Sequence, residues 1–330
     1  MKAKTVPADV PFYTLAKDGV TFSMLSQFLT CRERCRIGLQ GWSTTGTGLG
    51  MLFGTVVHAA LQELYTGAQM GRTHGIPSSR QLDRAIVVVD KLWRKEHPIV
   101  SAESMQMYER AVMLAQAVLP HYVRYWHADF TELTWRAVES EFRVLRETHT
   151  GLSIPLRGKM DGAYTRGKKP RPWLFETKTK GHISEAPLAD IMPHELQVNI
   201  YLNALQEVLN ETPAGVLYNI VRRPQLRERQ GETWDTFVKR VSDDVAERPD
   251  WYFVRMEMSV DADDLIRFSL ELKDLITDFV AWWGGMAGHY KNSGQCQNMY
   301  GTCPALAICA RQDFSRWFKR DRVFLELGEW

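Results

Sequence analysis

The sequence has few cysteines for its length, no long apolar run and no excess of either charge. Five cysteines in 330 residues are too few for the disulfide framework of a small secreted protein. No apolar run reaches the roughly 18–20 residues that span a membrane, and residues 1–20 lack the apolar core of a secretory signal. We therefore expect a soluble, cytoplasmic protein with reduced thiols, in which clustered cysteines are more typical of metal ligands than of disulfides.

Charge and composition leave several classes of function open. Lys and Arg number 41 against 39 Asp and Glu, a net charge of +2. This balance neither identifies a nucleic-acid-binding protein nor excludes one, because a local basic groove fits within a neutral total. The sequence contains no G-x-x-x-x-G-K-[ST], so it carries no P-loop motor. Hydrophobic residues at 45% and charged residues at 24% are typical of a folded globular chain.

Apolar periodicity separates helical segments from strand segments. Helical spacing predicts helices over residues 21–39, 54–68, 79–96, 102–128, 193–209 and 261–289. Pro120 predicts a kink or break in the fourth of them. Short apolar or alternating segments predict strands over residues 135–146, 153–165, 171–179, 216–221 and 251–258. This order predicts an α/β fold with a mixed sheet core flanked by helices, in one domain over 1–330 with a helical insertion over 69–132.

Two acidic residues and a lysine are placed to meet on neighbouring strands. Asp161 lies within Gly-Lys-Met-Asp-Gly, and Glu176 and Lys178 lie in the next predicted strand. The midpoint between Asp161 and Glu176 falls between Lys168 and Lys169, inside the predicted turn, so a symmetric hairpin sets the two acids opposite each other. Such partners have Cβ atoms about 4.5–5.5 Å apart. Glu176 and Lys178 share a strand face, because side chains alternate along a strand.

A cluster of this kind matches the needs of a divalent cation. Carboxylate oxygens are hard ligands that suit Mg²⁺ or Mn²⁺, and a cation removes the repulsion between Asp161 and Glu176. A bound cation also activates water for attack on a phosphodiester, and Lys178 is placed to stabilise the charge that develops on the phosphate. The alternative is that both acids are solvated strand-end residues paired with Lys159 and Lys178, because an acid-x-Lys pattern alone has low specificity.

The order of the motifs resembles the PD-(D/E)XK nuclease superfamily, in particular its RecB-like branch. That branch carries four motifs in the order Gly-x-x-x-His, Gly-x-hydrophobic-Asp, acid-x-Lys-Thr and Gln-x-x-x-Tyr. Here they end at His58, Asp161, Thr179 and Tyr201. Glu176 stands where many RecB-like relatives have Asp. The resemblance implies a restriction-endonuclease-like fold and a metal-dependent DNA nuclease.

The resemblance also implies the metal ligands and the catalytic lysine. Asp161 and Glu176 would bind the metal, with the carbonyl of Thr177 as an additional ligand. The imidazole of His58 would complete the set, although an isolated histidine on a helix is more typical of ordinary packing. Lys178 would position the nucleophile.

Two further catalytic residues follow from the resemblance on a later helix. Gln197 and Tyr201 lie at i and i+4, on one helix face, and would orient Lys178 or the scissile strand. The alternative for this pair is an ordinary helix surface and core. Glu141, on the strand before Asp161, is either a second acid behind the metal ligands or an exposed residue.

Three of the five cysteines lie close together near the end of the chain. Cys296, Cys303 and Cys309 have the spacing C-x6-C-x5-C, and Cys31 and Cys35 lie near the start. A structural zinc site takes four tetrahedral ligands, usually from CxxC pairs, and the sequence contains no CxxC. Iron–sulfur clusters also take four thiolates. Reduced structural cysteines are the alternative to both.

The cysteine layout resembles the iron–sulfur nucleases of the RecB-like branch, which include the AddB C-terminal domain and CRISPR-adaptation nucleases. The resemblance implies a [4Fe–4S] cluster held by segments 21–40 and 290–312. Its four ligands would be Cys31, Cys296, Cys303 and Cys309. Cys35, one helical turn from Cys31, is the rival for the first position. The six-residue gap before Cys303 is wider than the C-x2-C common in those nucleases.

Basic and aromatic residues outside the acidic cluster are candidates for DNA contact. Cationic side chains that follow predicted strands or lie at the hairpin turn are Lys168, Lys169, Arg171, Lys180, Arg222, Arg223, Arg227 and Arg229. Such charges bind phosphate backbones. Aromatic side chains that offer stacking surfaces to a single strand are Trp42, Tyr201 and Tyr218. The alternative is solvated loop charges and aromatic core residues.

These observations lead to one main hypothesis of function and two alternatives. The main one is a metal-dependent DNA exonuclease in recombination, repair or phage DNA processing, stabilised by a [4Fe–4S] cluster. The alternatives are a non-catalytic DNA-binding or redox-sensing module on a nuclease scaffold, and a CRISPR spacer-processing subunit within a complex. The non-catalytic alternative would require the loss of nuclease activity, and the intact set of Asp161, Glu176, Lys178 and Gln197 argues against such a loss. We expect DNA as the partner, with a recombination or CRISPR protein as a second candidate, and no membrane.

Overall fold

A computed structural model describes residues 12–44, 48–73, 75–96, 101–167, 170–183, 185–298, 301–315, 317–324 and 327–328. Its helices are α1 (Leu15–Asp18), α2 (Phe22–Thr30), α3 (Arg32–Leu39), α4 (Leu49–Gln69), α5 (Ser79–Glu96), α6 (Ala102–Tyr125), α7 (Ala128–Thr131), α8 (Glu185–Ile191), α9 (Leu196–Leu209), α10 (Trp234–Glu247), α11 (Pro249–Tyr252), α12 (Ala262–Trp283) and α13 (Leu306–Arg311). Its strands are β1 (Val20–Thr21), β2 (Trp42–Thr44), β3 (Thr134–Glu147), β4 (Ser153–Thr165), β5 (Trp173–Lys180), β6 (Gly215–Arg222), β7 (Phe253–Ser259), β8 (Gln297–Asn298), β9 (Gly301–Thr302) and β10 (Trp317–Lys319). Short 3₁₀ helices cover Met192–His194 and Ser293–Gln295. Within these residues, no helix combines the length and apolar character that a membrane crossing requires.

A mixed sheet lies in the larger of two units, formed by residues 46–140 and 160–264 and called here the sheet unit. Strand β5 pairs antiparallel with β4, where Phe175 faces Gly162, and parallel with β6, where Glu176 faces Tyr218. Strand β7 pairs antiparallel with β6. Helices α8 and α9 form the long connection that parallel strands β5 and β6 require. The prediction of a mixed sheet with flanking helices is therefore confirmed, and the arrangement is consistent with a restriction-endonuclease-like fold.

Helix α4 is a largely buried helix of the sheet unit. Its buried side chains Phe53, Val57, Leu61 and Leu64 recur every three or four residues, so one face of the helix is apolar. That face joins a single apolar cluster with residues of α5, α6 and α10. Full burial of one side chain of this size contributes about 1.5–3 kcal/mol. This packing determines where the first turns of α4 lie beside β5.

Helices α5, α6 and α7 fall within the segment predicted as an insertion, residues 69–132. Of the kink or break predicted at Pro120, the break does not occur, because α6 runs on through this residue to Tyr125. Proline inside a helix removes one hydrogen bond and costs about 3 kcal/mol. Buried side chains on both sides of it, such as Leu114 and Tyr122, hold the helix together across the defect.

The second unit comprises residues 1–45, 141–159 and 265–330 and is called here the terminal unit. Val20 of β1 pairs in parallel with Leu156 of β4, and β2 pairs antiparallel with β10. Phe28 of α2 packs on Phe279 and Trp282 of α12, with ring centroids 5.4 and 5.1 Å away. The long strands β3 and β4 contribute residues to both units.

The single helix predicted over residues 21–39 is two helices. The side chain of Thr21 accepts the N–H of Met24 at 3.3 Å and caps α2, but α2 ends at Thr30. Cys31 has φ −165° and ψ 113°, an extended conformation that a helix does not contain. Asn292 donates its side-chain amide to the carbonyl of Thr30 and its backbone N–H to Sγ of Cys31. Asn292, which is distant in sequence, therefore supplies hydrogen bonds at the end of α2. The apolar periodicity of residues 21–39 gave no sign of this helix end.

Candidate active site

Strands β4 and β5 bring the predicted acids into one row. Gly162 pairs with Phe175, so Asp161 and Glu176 occupy the next step of the same antiparallel register. This is the register predicted from the symmetry of the hairpin. Of the predicted turn over residues 166–170, Lys168 and Lys169 lie outside the described residues.

Asp161 is contacted by two hydrogen-bond donors. The backbone N–H of Thr177 donates to its Oδ2 at 2.7 Å, and Nδ1 of His58 lies 3.5 Å from the same oxygen. Burial acts to raise the pKa of Asp161, but the charge and hydrogen bond of His58 and the N–H of Thr177 outweigh it and lower the pKa overall. Asp161 is therefore ionised at neutral pH.

Glu176 is almost fully buried, with 1% of its side chain exposed. Nζ of Lys178 donates to Oε1 at 2.7 Å, whereas Oε2 has no hydrogen-bond partner among the described residues. Burial, and after it the negative charge of Asp161, raises the pKa of Glu176 to about 8. A buried carboxylate with one unpaired oxygen, next to a second carboxylate, is the situation that a bound cation relieves.

Lys178 is held from two sides. Its Nζ donates to Glu176 and also, at 2.5 Å, to Oε1 of Gln197. Gln197 lies in the first turn of α9, where the N-cap Glu195 accepts the N–H of Val198 at 3.1 Å. Burial acts to lower the pKa of Lys178, but the charge and hydrogen bond of Glu176, together with Tyr218 and Asp161, raise the pKa overall. Lys178 is therefore an ammonium group.

The structure thus brings Gln197 to Lys178, as the motif implies. Tyr201, one turn later in α9, is 7% exposed and is part of the buried side of the helix. Its predicted catalytic role stays a prediction.

Helix α4 brings His58 to the acids through a close approach at Gly54. A Cβ atom on Gly54 would lie 2.6 Å from Oγ1 of Thr179 on β5. Helix and strand therefore meet at this distance only because residue 54 is glycine. His58 follows one turn later on the same helix face. Burial acts to lower its pKa, but Asp161 and, after it, Glu139 raise the pKa overall.

Glu139 of β3 belongs to the site and was not anticipated from the sequence. One ligand atom each of His58, Glu139 and Asp161 lies within 4.8 Å of the others. Glu141, the acid that the sequence suggested, instead accepts the N–H of Gly328 at 3.0 Å. Glu139 has φ +46°, which is uncommon for a non-glycine residue and, inside a strand, typical of a β-bulge that redirects a side chain. Simple alternation along β3 therefore does not predict which acid reaches the site.

One imidazole and three carboxylates make this cluster a candidate divalent-metal centre. His58, Glu139 and Asp161 lie together, and Glu176 adds an unpaired oxygen. A set dominated by carboxylate oxygens suits Mg²⁺ or Mn²⁺ better than a soft metal. The backbone of Thr177, whose carbonyl was predicted as an additional ligand, already contacts the site through its N–H on Asp161.

Comparison with known proteins agrees with the geometry. The family model of the PD-(D/E)XK nuclease superfamily matches residues 20–310. The chain belongs to the PD-(D/E)XK nuclease superfamily. Membership implies a divalent-metal-dependent nuclease with DNA as its substrate. No curated protein matches the chain.

A cavity of about 560 Å³ in this nuclease-superfamily protein is lined in part by His58. It is lined by the first turns of α4, by Thr179 and Gly181 at the end of β5, and by Arg223. Lys180 is exposed between two lining residues, and its carbonyl accepts the N–H of Arg223 at 2.9 Å. Three of the cationic residues predicted to contact DNA lie at or just after the ends of β5 and β6: Lys180, Arg222 and Arg223. Lys180 and Arg223 lie at or beside this opening.

The third residue, Arg222, is placed differently. It is 6% exposed, and its guanidinium lies 4.9 Å from the ring centroid of Trp251. Every residue of β6 is buried, so a cation at its end is covered by neighbouring elements. The expectation of an open phosphate contact does not hold for Arg222. Tyr218 is 2% exposed and offers no open stacking surface either.

Four cysteines line one small cavity in the terminal unit. They are the four predicted cluster ligands, Cys31, Cys296, Cys303 and Cys309, and Lys291 and Asn292 line the same cavity. The N–H of Asn292 donates to Sγ of Cys31 at 3.4 Å, and the N–H of Cys303 donates to the carbonyl of Cys296 at 2.9 Å. Trp42, a predicted stacking surface for DNA, is in this unit and packs on Phe314 at 4.4 Å between ring centroids.

Cys35 is not among the residues that line this cavity. It is 1% exposed, its thiol lies 3.7 Å from the carbonyl of Met24, and burial raises its pKa to about 12. Of the two rivals, the structure places Cys31 at the cavity. In the part of the chain that is described, no three cysteine sulfurs lie within 4.8 Å of one another. Tetrahedral zinc, with Zn–S distances of about 2.3 Å, needs sulfurs about 3.8 Å apart, so the arrangement does not fit one zinc ion.

Proposed function

We propose that the protein is a Mg²⁺- or Mn²⁺-dependent DNA exonuclease of the RecB-like branch, which acts on the ends of single-stranded or resected DNA. The observation that carries the proposal is the group of His58, Glu139 and Asp161 beside the buried, half-paired carboxylate of Glu176. Burial, and after it the repulsion from Asp161, raises the pKa of Glu176, and a divalent cation compensates for both. The four motifs in RecB order support the branch, and recombination, repair or phage DNA processing is the proposed context.

The metal-binding residues have separate tasks. Glu139, Asp161 and Glu176 would hold the cation through oxygen atoms and His58 through an imidazole nitrogen. When bound, such a cation polarises a phosphodiester and lowers the pKa of water. His58 and the N–H of Thr177 keep Asp161 ionised and oriented, which is the usual contribution of groups that contact a metal-binding carboxylate.

Lys178 acts through its charge. Its raised pKa keeps it protonated, so it is not a proton acceptor at neutral pH. An ammonium group fixed beside the metal-binding acids stabilises negative charge as it develops on the phosphate. Gln197 holds it by a contact that does not depend on the protonation of Glu176.

The cavity beside His58 is the proposed entry for the DNA strand. Arg223 lines it and Lys180 is exposed at its edge. Both are positively charged and would attract the phosphates next to the scissile one. The open space lies directly beside a metal-binding residue, so a nucleotide there would present its phosphate to the metal centre.

The test compares three variants on end-labelled single-stranded DNA with Mn²⁺. Asp161→Asn and Lys178→Ala each should lose activity by about 1,000-fold or more, because each removes a charge that acts on the transition state. Lys239→Ala is the matched control, because it removes the same side chain from an exposed ion pair with Asp243. It should cleave like the wild type, and all variants should keep the circular dichroism spectrum of the wild type.

A closed circular single strand tests the exonuclease mode in the same assay. The proposal expects linear DNA to be shortened from an end and circles to stay intact. Cleavage of the circles would show that the protein is an endonuclease and not an exonuclease. Undiminished cleavage by Asp161→Asn or Lys178→Ala would overturn the site itself. Binding of DNA by the wild type without any product would favour the non-catalytic alternative.

We further propose that the terminal unit binds a [4Fe–4S] cluster. The support is that all four predicted ligands share one cavity, with the ammonium of Lys291 beside them and an N–H donor on Cys31. Positive charge and N–H donors stabilise thiolate ligands. A [4Fe–4S] cluster takes four thiolate ligands, which is the number of cysteines that line the cavity. Its role would be structural, because it would join the break between α2 and α3 to the last part of the chain.

A further inference from the structure

A row of buried polar residues crosses the sheet unit next to the metal centre. Thr177 of β5 pairs with Asn219 of β6, and Asn219 pairs with Arg255 of β7. Residues paired across neighbouring strands project from the same face of a sheet. Thr177 is 3% exposed and Asn219 is 0% exposed. Polar side chains at such positions need partners within the protein.

The far end of the row is anchored by an ion pair with Asp129 of α7. Arg255 donates two hydrogen bonds to this carboxylate, which is 1% exposed. Tyr65 of α4 donates to the same carboxylate at 2.7 Å and contacts the hydroxyl of Tyr122 at 2.8 Å. A bidentate guanidinium–carboxylate pair has a defined orientation as well as charge. The anchor is therefore rigid, and it comes from the segment predicted as an insertion.

The anchor determines which way the amide of Asn219 points. Nε of Arg255 donates to Oδ1 of Asn219 at 2.9 Å. A guanidinium has only donors, so it must face the amide oxygen. The amide nitrogen then faces the other way and donates to Oγ1 of Thr177 at 3.2 Å. Thr177 in turn uses its backbone N–H to hold Oδ2 of Asp161 at 2.7 Å.

We infer that Asn219 is a positioning residue for the metal centre. Held by the Arg255–Asp129 pair, it fixes Thr177, whose peptide group orients the carboxylate of Asp161. The inference rests on the proposed function, because it assigns Asp161 to metal binding. Residues behind a metal-binding carboxylate control metal affinity although they never touch the metal.

Removal of this contact should weaken metal binding more than it destabilises the fold. The first variant is Thr177→Val, which keeps the shape of the side chain and removes the oxygen that Asn219 binds. Thr177→Ser keeps that oxygen and serves as the conservative rescue. Asn219→Leu removes the contact from the other side, and the double variant tests whether the two residues act as one unit.

A matched control exists in the same sheet unit. Thr165 of β4 is buried, 4% exposed, and its hydroxyl lies 3.5 Å from the carbonyl of Thr134, away from the row described above. Thr165→Val therefore makes the same chemical change at a comparable depth. It should leave metal affinity unchanged and report the purely structural effect of losing a buried hydroxyl.

The measurement is Mn²⁺ affinity without DNA, from the electron paramagnetic resonance signal of free Mn²⁺, together with the melting temperature of each metal-free variant. Thr177→Val and Asn219→Leu should each bind Mn²⁺ about tenfold more weakly than the wild type. The double variant should lose no more Mn²⁺ affinity than the single variant that binds Mn²⁺ more weakly, because the two residues act as one unit. Thr177→Ser should bind Mn²⁺ within about twofold of the wild type. If Asn219→Leu does not fold, the Val and Ser variants at position 177 still decide the question.

Three results would overturn the inference, and they separate it from the proposed function. Wild-type affinity in Thr177→Val shows that the row does not act on the metal centre. An equal loss in Thr165→Val shows a general effect of buried hydroxyls. If the wild type binds no Mn²⁺, the proposed metal centre is wrong and the inference fails with it. If the wild type binds Mn²⁺ tightly and the variants bind it equally well, only the inference is wrong.

Discussion

The acidic site and the cysteine cavity are built in opposite ways. Strand register places Asp161 and Glu176, and one close helix–strand approach at Gly54 adds His58. The cysteine cavity instead depends on an interrupted helix at Cys31 and on short turns, ordered by strands of two residues, β8 and β9. Regular secondary structure positions the first site, and irregular backbone positions the second.

The apolar support around the two sites differs as well. Helix α4 and strand β5, which carry acidic-site residues, contribute to a cluster that joins most of the helices of the sheet unit. The buried cluster that packs on Cys303 and Cys309 consists of Ile37, Ala305 and Ile308. A small core gains more of its stability from a bound cofactor than a large one does. We therefore expect the acidic site to keep its shape without a cation, and the cysteine region to lose stability without the proposed cluster.

The largest expected effect on stability comes from removing a proposed cluster ligand in the cysteine region. Cys31→Ala should lose the iron and the visible absorption of anaerobically purified protein, because one of four ligands is gone. Its melting temperature should fall by about 10 °C, since 1 kcal/mol corresponds to about 2–4 °C for a unit of this size. Asp161→Asn should stay within about 3 °C of the wild type, because its site is held by register.

Cys35→Ala is the matched control for the cluster. It removes a buried thiol one turn away and should keep the iron content of the wild type, with a smaller loss of stability. Stoichiometric zinc without iron in the wild type, or full iron in Cys31→Ala, would contradict the proposed cluster.

A smaller effect is expected on Mn²⁺ affinity, and it tests whether Glu139 belongs to the metal centre. Glu139→Gln keeps the shape of the side chain and removes its charge next to His58 and Asp161. Mn²⁺ affinity should fall by about tenfold without a change in the circular dichroism spectrum. Glu132→Gln, at an exposed position in the same part of the chain, is the control. Equal affinities in the two variants would remove Glu139 from the metal centre.

The last prediction is a pH dependence of stability in the metal-free protein. Glu176 has a pKa of about 8 against an ordinary value of 4.5, so the folded state binds its proton more tightly than the unfolded state. The free energy of unfolding should therefore decrease as pH rises from about 5 to 8. The lowered pKa of Asp161 acts below its ordinary value of 3.8, where stability is lost as pH falls, and so lies outside this window.

The raised pKa of His58 acts in the same direction as that of Glu176, so a variant is needed to separate them. In urea unfolding, Glu176→Gln should show a flatter pH dependence than the wild type between pH 5 and 8. Saturating Mg²⁺ should flatten the wild-type curve as well, because a cation replaces the proton. A wild-type curve that is already flat without metal would contradict the assignment of a proton to Glu176.

Local pattern was sufficient for the residues whose neighbours are close in sequence. The bounds of β4 and the opposition of Asp161 and Glu176 follow from alternation and from the symmetry of one hairpin. The convergence of Lys178 with Glu176 follows from the period of two along a strand. The contact of Gln197 with Lys178 came from a motif, because a helix after a strand has no fixed register with it.

Residues whose environment is set by distant elements were misjudged. Glu139 reaches the site because a left-handed residue interrupts β3, which no apolar pattern records. Arg222 is covered by Trp251, and α6 continues through Pro120 because it is packed on both sides of that residue. In each case packing or a local backbone change outweighs the preference of the residue itself.

Three features follow from the amino-acid sequence alone: the class of fold, the strand pair that carries the acids, and the kinds of side chain that a divalent cation would meet. These features depend on local periodicity and on the chemistry of single residues. Long-range contacts were needed to show that Glu139 belongs beside His58, that Cys31 and not Cys35 lines the cysteine cavity, and that Asn219 connects an ion pair to Asp161. Those features depend on which distant surfaces meet, and burial against a distant partner is a property of the folded chain rather than of any segment in it.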